Sequence, residues 1–498
     1  MVIFMKEHMR RIALILLAIL LVASMYACEP DPESVSEPET SVPTEIHLLT
    51  EGDFDFAVRD GEAQITDYFG SEQNVAVPDT LGGVPVTEIG ANAFHDNDTL
   101  RSVTLPDSVR TIGDNAFSYC YALETVRFGS GLKRIDDYAF CGCSAMHTVE
   151  LPDGVAEIGK GAFNETRLTD VGIPGSVRRI EANAFANTLY LASLTDEFVI
   201  VGDGVLPRCN SSETTVTVPD GVKCVAGVND TAAEVLLPDS VTVILCGAFY
   251  RNPSLKHITV PGSVRRIDDQ AYYWCEALQS VTLEEGVAEI GYRAFANCHK
   301  LTELHLPESL TTIEKEAFRG CSSLEELNVP ENVRVLGSGF ASSCSSLKTA
   351  SLPGAVELPP FAFENCDALE TVALGENLRS IGAFAFTSCE ALRSIRIPDG
   401  TRKIGEGAFH ACEVLEEIIL PDSARLSESI FRACKALKKA VLPGGLPSVP
   451  DHLFDACNSL ESIVLPESVT AAGAYAFHDC HALTEMPIPE GVTEAGEG

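Results

Sequence analysis

Residues 298–318 read CHKLTELHLPESLTTIEKEAF and contain one complete structural unit. The leucines at its start predict a short strand whose last members alternate between a core and the solvent. Pro307 ends that strand, because proline has no amide proton to donate to a central ladder. Leu310 and Ile313 begin a return segment, and a small alanine followed by Phe318 closes the turn against the core. One such unit cannot bury its own apolar side, so we expect it to stack on copies of itself.

The closing aromatic residue recurs along the chain in steps of 22 or 23 residues, apart from one longer gap. The series is Phe94, Phe117, Phe140, Phe163, Phe185, Phe249, Tyr272, Phe295, Phe318, Phe340, Phe363, Phe386, Phe409, Phe431, Phe454 and Phe477. A period kept over so much of a chain is the signature of a solenoid. We therefore predict an α/β-type repeat solenoid, mostly of short strands, with about 16 coils of 22–23 residues and a parallel β-sheet along one side.

The full pattern is Leu-x-x-Ile-x-Leu-Pro-x-x-Val-x-x-Ile-Gly-x-x-Ala-Phe-x-x-Cys, which resembles the BspA-type leucine-rich repeat of bacterial surface proteins. The resemblance extends from about Val84 to the end of the sequence. It implies a right-handed solenoid and roles in adhesion and host interaction. Residues 46–83 resemble the variant first coil that caps such arrays, and regular repeats are expected over 84–188 and 239–498.

The sequence departs from the regular pattern in two places. The step from Phe185 to Phe249 is 64 residues, and no further Ala-Phe pair occurs within it. We predict degenerate repeats over 189–238, preceded by an inserted loop near 189–210 that is a kink, a soft joint or a functional loop. The second departure is the final segment, which copies the beginning of a coil without its closing turn. We therefore expect an incomplete last coil, either in a fragment or at a frayed end.

The first 45 residues carry no repeat. Residues 1–27 have the pattern of an export signal, with basic residues before an uncharged run. The end of this segment resembles a bacterial lipoprotein signal, which implies that Cys28 is lipidated. Residues 28–45 are rich in proline and acidic side chains, so we predict an extended tether. Plain secretion and an uncleaved anchor are the alternatives.

The charge balance excludes one class of partner. The formal net charge is −37, with 35 Lys and Arg against 72 Asp and Glu. Such a surface repels phosphate backbones, so we expect no nucleic acid partner and contact with a membrane through the lipid anchor alone.

Twelve of the 17 cysteines occur three or four residues after the closing aromatic position. They are Cys120, Cys143, Cys275, Cys298, Cys321, Cys344, Cys366, Cys389, Cys412, Cys434, Cys457 and Cys480. We predict a ladder of buried thiols, because free cysteine behaves as a small hydrophobic residue and side chains that point in parallel disfavour disulfides. His478, Cys480 and His481 are close in sequence but lack a second cluster with metal-ligand spacing. We find no catalytic motif and predict no enzyme, no metal and no cofactor.

The best candidate for a binding site is on the strands. The fifth position of each strand points to solvent, and this row becomes apolar at Ile419, Val441 and Val464. The second-position row beside it alternates in charge. Its members near the apolar positions are Glu416, Lys438 and Glu461. Together with Arg396 these residues form the predicted ligand-binding patch, since an apolar stripe bordered by mixed charge suits a protein partner. The alternative is that β-branched residues merely favour strands.

Three functions fit these observations. The first is a non-enzymatic adhesion or protein-interaction module that presents its sheet face to a protein or polymer on a host or neighbouring cell. The second is a structural spacer or surface-layer component. The third is the targeting part of a larger protein that continues beyond residue 498. In each case we expect an exported chain, lipid-anchored at the bacterial cell surface or else secreted.

Overall fold

The computed structural model describes residues 48–228 and 230–497. Within them the chain forms a β-solenoid of about 19 turns with parallel strands and almost no helix, so the predicted fold class is confirmed. The segments assigned to the signal and the tether, including Cys28, lie outside the described residues.

The array begins with an antiparallel unit. Its strands are β1 (Leu48–Glu51), β2 (Phe54–Arg59), β3 (Glu62–Tyr68), β4 (Asn74–Ala76), β5 (Thr80–Leu81) and β6 (Val84–Ile89). Strands β1, β2 and β3 pair antiparallel, and β3 then pairs parallel with β6. The hairpin between β2 and β3 turns at Asp60 and Gly61, both with positive φ, as a two-residue type I′ loop requires. This unit gives the first parallel coil a paired neighbour.

Each regular coil contributes two strands. In the first part of the array they are β7 (Ser102–Thr104), β8 (Thr111–Ile112), β9 (Thr125–Arg127), β10 (Arg134–Ile135), β11 (Thr148–Glu150), β12 (Glu157–Ile158), β13 (Asp170–Gly172) and β14 (Arg179–Ile180). The longer strand of each coil forms the predicted sheet, called here the front sheet. The two-residue strand, which follows the proline, forms a second parallel ladder, called here the return ladder.

The two coils without Ala-Phe form a region called here the joint, residues 189–245. It begins with a helix, α1 (Leu189–Ser193), followed by an antiparallel hairpin of β15 (Phe198–Val201) and β16 (Val205–Cys209). The predicted inserted loop is therefore a helical turn and a hairpin. Strand β16 then pairs parallel with the return ladder, just as β3 does at the start of the array.

The second part of the array runs to the end of the described chain. Its strands are β17 (Thr215–Thr217), β18 (Cys224–Val225), β19 (Glu234–Leu236), β20 (Val243–Ile244), β21 (His257–Val260), β22 (Arg266–Ile267), β23 (Ser280–Leu283), β24 (Glu289–Ile290), β25 (Glu303–His305), β26 (Thr312–Ile313), β27 (Glu326–Asn328), β28 (Val335–Leu336), β29 (Thr349–Leu352), β30 (Glu357–Leu358), β31 (Thr371–Leu374), β32 (Ser380–Ile381), β33 (Lys403–Ile404), β34 (Glu417–Ile419), β35 (Arg425–Leu426), β36 (Lys439–Val441), β37 (Ser448–Val449), β38 (Ser462–Val464), β39 (Ala471–Ala472) and β40 (Glu494–Ala495). The front sheet is divided into short ladders, the last of which is β34-β36-β38.

The closing aromatic residues stack inside the coils. In the centre of the array the ring centroids of Tyr272 and Phe295 are 5.0 Å apart, and those of Phe295 and Phe318 are 5.7 Å apart, with nearly parallel planes. One member of the predicted series is displaced by one position. The amide of Phe318 donates to the carbonyl of Phe340, an acceptor that is alanine in most coils, so Phe340 fills the alanine position and Ala341 the aromatic one. Accordingly, Phe340 and Phe363 meet edge-on at 71°.

The aromatic series undercounts the turns for a simple reason. The joint coils and the last turn, which ends in β40, contribute strands without a closing aromatic residue. Sixteen aromatic markers therefore correspond to about 19 turns.

The joint also bends the array. Arg179, on β14, places its Nη2 2.8 Å from Oδ2 of Asp268, which follows β22. Strand β14 ends one ladder, and β16, β18, β20 and β22 of the next ladder follow it, so four coil steps separate β14 from β22, which is about 19 Å at about 4.8 Å per step. An arginine side chain is too short for that distance in a straight stack, so the coils must converge on this side. The missing Ala-Phe turns provide the space for them to do so.

Candidate functional site

The three apolar residues of the predicted patch lie side by side on the last front ladder. Ile419 on β34 is in register with Val441 on β36, which is in register with Val464 on β38. Their side chains are 59%, 40% and 74% exposed. They form one continuous row across three strands, called here the stripe.

Strand alternation accounts for this exposure. The residues just before the stripe, Ile418, Ala440 and Ile463, are buried in the core. Successive side chains on a strand point to opposite faces, so the next residue must face solvent. In most coils that outward position holds a polar or small residue. Here three large aliphatic side chains occupy it in succession, and no other segment of the described chain covers the apolar surface that they expose.

Ion pairs border the stripe on the amino-terminal side of its strands. Glu416 accepts from Arg393 at 3.3 Å and lies 3.2 Å from the Nζ of Lys438, so the alternating charges of the predicted row pair across three coils. A second pair, Lys439 with Glu417 at 3.1 Å, lies one position nearer the stripe. The sequence analysis did not include this pair, although the opposite charges of the third-position row could have indicated it.

Arg396 occupies the same outward row one coil before Ile419, and its guanidinium is held by Glu376 through two hydrogen bonds. Residues 392–397 form no strand in the structure, so Arg396 stands outside the ladder that carries the stripe. The stripe therefore begins where the front sheet resumes. Glu376 belongs to a loop of the preceding coil and was not identified from sequence.

Glu461 differs from the other charged residues of the patch. It is exposed, and within residues 48–228 and 230–497 it forms no ion pair, unlike the cations and Glu416 beside it. Glu467, three residues after Val464, is likewise exposed and forms no ion pair in the described part of the chain. Exposed ion pairs contribute little to the stability of the fold. The pattern of paired and unpaired charges here therefore matters mainly for the electrostatic surface that a partner would contact.

Eleven of the twelve ladder cysteines are buried as predicted from sequence, and Cys480 is only partly buried. In the ladder the thiol donates to a carbonyl of the preceding coil, as Cys298 does to Tyr272 at 3.2 Å and Cys275 to Phe249 at 3.0 Å. Burial raises the pKa of the Cys275 and Cys412 thiols to about 12. A thiol that stays protonated is neither a nucleophile nor a metal ligand, so the ladder is structural.

The histidines near the last coils surround a carboxylate. The Nδ1 of His478 is 2.9 Å from Asp455, and Arg432 and His452 contact the same carboxylate at 3.2 Å. The thiol of Cys480 donates to the Phe454 carbonyl instead. Within the described residues no group of three or more His, Cys, Asp or Glu side chains is placed to hold a metal ion.

A small polar cleft lies on the return ladder beside the joint. It is lined by Arg134, Asp136, Asp137, Arg179 and Glu181, among others. Burial raises the pKa of Asp136 to about 6 and also raises the pKa of Glu181. Because Arg134 and Arg179 pair with these acids, the cleft is an ion-pair network at the bend. We assign it no chemistry.

Comparison with protein families identifies the repeat. The profile described as BspA type Leucine rich repeat region (6 copies) matches residues 73–192, 242–358 and 356–484, well over half of the chain. The unmatched interval between the first two ranges falls within the joint. No curated protein gave a significant match. Across the described residues, the structure has no helix with the length and apolarity needed to cross a bilayer.

Solved structures of three bacterial proteins are similar to this chain. A leucine-rich repeat protein from Bacteroides ovatus is 24% identical, with 83% of this chain and 97% of that chain covered and a TM-score of 0.43. A leucine rich cell surface protein from Faecalibacterium prausnitzii is 22% identical, with 88% and 94% covered and a TM-score of 0.29. The pneumococcal vaccine antigen PcpA is 20% identical, with 72% and 93% covered and a TM-score of 0.33.

BspA-type proteins are typically non-catalytic bacterial surface proteins, and the comparisons indicate no enzymatic family. Because the family profile covers more than half of the sequence, this chain belongs to the BspA-type leucine-rich repeat family.

Proposed function

We propose that this protein is a non-enzymatic adhesion or interaction module at the bacterial cell surface, and that it binds a protein or polymer of a host or neighbouring cell through the stripe. The observation that carries the proposal is the exposure of Ile419, Val441 and Val464 in register on three adjacent strands. Branched aliphatic side chains exposed together lose water-contacting apolar surface when a partner covers them.

The proposed location follows from the family and from the sequence. Family members are typically surface proteins, and Cys28 has the position of a lipidated residue in a bacterial lipoprotein signal. A lipid at Cys28 with the acidic segment 28–45 as a tether would hold the solenoid away from the membrane. Mass spectrometry of the exported protein tests this part, because lipidation adds acyl mass to a peptide that begins at Cys28. A peptide beginning at Cys28 without that mass would contradict it.

A binding screen tests the stripe. The purified full-length chain is applied to immobilised matrix proteins, mucins and glycans beside a variant carrying Ile419→Thr, Val441→Thr and Val464→Thr. Threonine keeps the β-branched shape that strands favour and removes the apolar surface. We expect binding to at least one ligand, and loss of about tenfold or more in affinity in the variant, as removal of buried apolar contacts predicts.

A matched control separates the stripe from the coils that carry it. Arg425→Thr with Ser448→Thr changes two exposed residues on the return ladder of the same coils. This variant should bind as the original chain does. Ligand binding that survives the stripe variant would refute the site, and a chain that binds no ligand in the panel would favour the structural spacer.

A further inference from the structure

We infer that the partner of the stripe presents a basic amphipathic helix, with aliphatic residues on one face and Lys or Arg beside them. This inference rests on the proposed function, because it names the chemistry of the partner at the same site. It is drawn from the dimensions of the stripe and from the unpaired charge around it.

The length of the stripe selects a helix over an extended strand. From Ile419 to Val464 the row crosses two strand spacings, which is about 9.6 Å. On a helix that lies along the row, residues i, i+4 and i+7 share one face and span about 10.5 Å. On an extended strand, residues i, i+2 and i+4 span about 13.6 Å. Three side chains on one face of a helix therefore match the length of the stripe, whereas three side chains on one face of a strand span a longer distance than the stripe.

The charges around the stripe select a basic partner. The cations near it are already paired: Lys438 with Glu416, Lys439 with Glu417, and Arg396 with Glu376. In the described part of the chain, the charged side chains near the stripe that form no ion pair are acidic. They lie before and after Val464, the last residue of the stripe.

These acidic residues are placed symmetrically about Val464. Glu461 precedes it by three residues and Glu467 follows it by three residues, and both are exposed. At about 3.3 Å per residue the Glu461 backbone lies about 10 Å along the strand from Val464, whereas Glu467 lies in the turn that begins after Pro466. A helix with its side chains has a radius of about 5–6 Å, so Lys or Arg on the flanks of a docked helix would extend the remaining few ångströms toward these carboxylates.

Synthetic peptides of about 18 residues test this inference, since shorter isolated helices are marginal in water. One peptide carries Leu at i, i+4 and i+7 with flanking Lys, and a second has the same leucines with flanking Glu. A third alternates Val and Lys and favours a strand. Binding to the full-length chain is measured by isothermal titration at low and high salt. We expect the Lys helix to bind with an affinity that falls at high salt, and we expect much weaker binding of the other two peptides.

Variants of the chain locate the binding. The triple threonine variant of the stripe should weaken the Lys helix by about tenfold, and Glu461→Gln with Glu467→Gln by about threefold or more. The matched control is Asp170→Asn with Glu303→Gln, which removes two exposed front-sheet carboxylates far from the stripe. It should leave binding unchanged, which excludes attraction by the overall charge of −37.

Three outcomes would overturn the inference. In the first, the Lys helix does not bind. In the second, the Glu helix or the strand peptide binds as tightly as the Lys helix or more tightly. In the third, Asp170→Asn with Glu303→Gln weakens binding of the Lys helix as much as Glu461→Gln with Glu467→Gln does. If instead the proposed function is wrong, the binding screen shows it, because a surface ligand would bind the triple threonine variant with the same affinity as the original chain. If the stripe is needed for that ligand but the glutamines have no effect on the Lys helix, the site stands and the basic partner is wrong.

Discussion

Residues 249–480 and the joint, residues 189–245, use the same pair of strands in each coil, but only the first region keeps the closing aromatic turn. In the first region nearly every turn adds a ring to the stack and a thiol to a ladder, and the displaced Phe340 interrupts the stack once. In the joint the two turns are missing, a hairpin is added, and Arg179 reaches Asp268 four coil steps away, across the break in the return ladder. The comparison teaches that the strands stack with or without the aromatic turn, and that the long-range contact of Arg179 with Asp268 occurs where that turn is absent.

The largest expected effect is removal of a ring from the stack. Phe295→Ala should lower the free energy of unfolding of its region by about 3–5 kcal/mol, because the fully buried ring leaves a cavity between Tyr272 and Phe318. The joint counterpart is Tyr190→Ala, where a half-buried ring contacts Phe185 edge-on. That change should cost about 1 kcal/mol.

Urea denaturation measures the first change. It can be followed through the single tryptophan, Trp274, which lies two residues after Tyr272 in the same region. Hydrogen exchange measures the second change locally at the joint. Equal losses at the two sites would mean that the aromatic stack gives no special stability.

The second prediction concerns a glycine that packs against an aromatic ring of the preceding coil. Gly407 has φ +57°, and a Cβ there would overlap the ring of Phe384 from the preceding coil. Gly407→Ala should therefore cost about 1–3 kcal/mol through overpacking and backbone strain. In the joint, Gly221 has φ +89° and no heavy atom within 4 Å of an added Cβ.

Gly221→Ala is the control for that change. It should cost about 1 kcal/mol from backbone strain alone. Thermal unfolding of the two variants gives the comparison. A loss at Gly407 no larger than at Gly221 would show that the Phe384 ring moves aside without cost.

The difference between the regular coils and the joint also explains which features of the structure could be predicted from the sequence. The period of the aromatic residues and the alternation on strands are local patterns, so the fold and the position of the stripe could be predicted. The sequence showed one row of alternating charge, and the structure adds that Arg393, Glu416 and Lys438 of this row form ion pairs.

The position of the joint could be predicted from the missing Ala-Phe pairs, but its hairpin and its bend could not, because these features are not periodic. Its hairpin depends on Gly202 and Gly204, both with positive φ, which match no repeat position. The bend depends on Arg179 and Asp268, which are 89 residues apart in sequence. The displaced ring of Phe340 was missed for another reason, since a swap of Ala-Phe to Phe-Ala leaves the 22-residue step intact.

The third prediction tests the bend directly. Arg179→Gln removes the ion pair with Asp268 across the joint, together with the ion pair to Glu181 in its own coil, so the two parts of the array should move apart. The radius of gyration from small-angle scattering should increase, and stability should fall by about 1 kcal/mol, because the arginine is partly exposed. Arg134→Gln is the control, since its partner Asp136 lies in its own coil at 2.7 Å. An unchanged radius in Arg179→Gln would show that packing alone maintains the bend.

The smallest effect is a pH dependence beside the joint. Burial raises the pKa of Asp136 from 3.8 to about 6, so the folded chain holds this proton more tightly than the unfolded chain. The contribution of this site to stability is therefore greatest below pH 3.8 and falls as the pH rises toward about 6. Asp136→Asn removes the cost of a buried charge, so it should raise the melting temperature at pH 7 and have little effect at pH 4. Glu303→Gln, at an exposed front-sheet position, should show no such difference between the two pH values. A gain in Asp136→Asn that is equal at pH 4 and pH 7 would mean that the gain does not come from removing a buried charge, and no gain at pH 7 would mean that Arg134 compensates for the burial of the carboxylate.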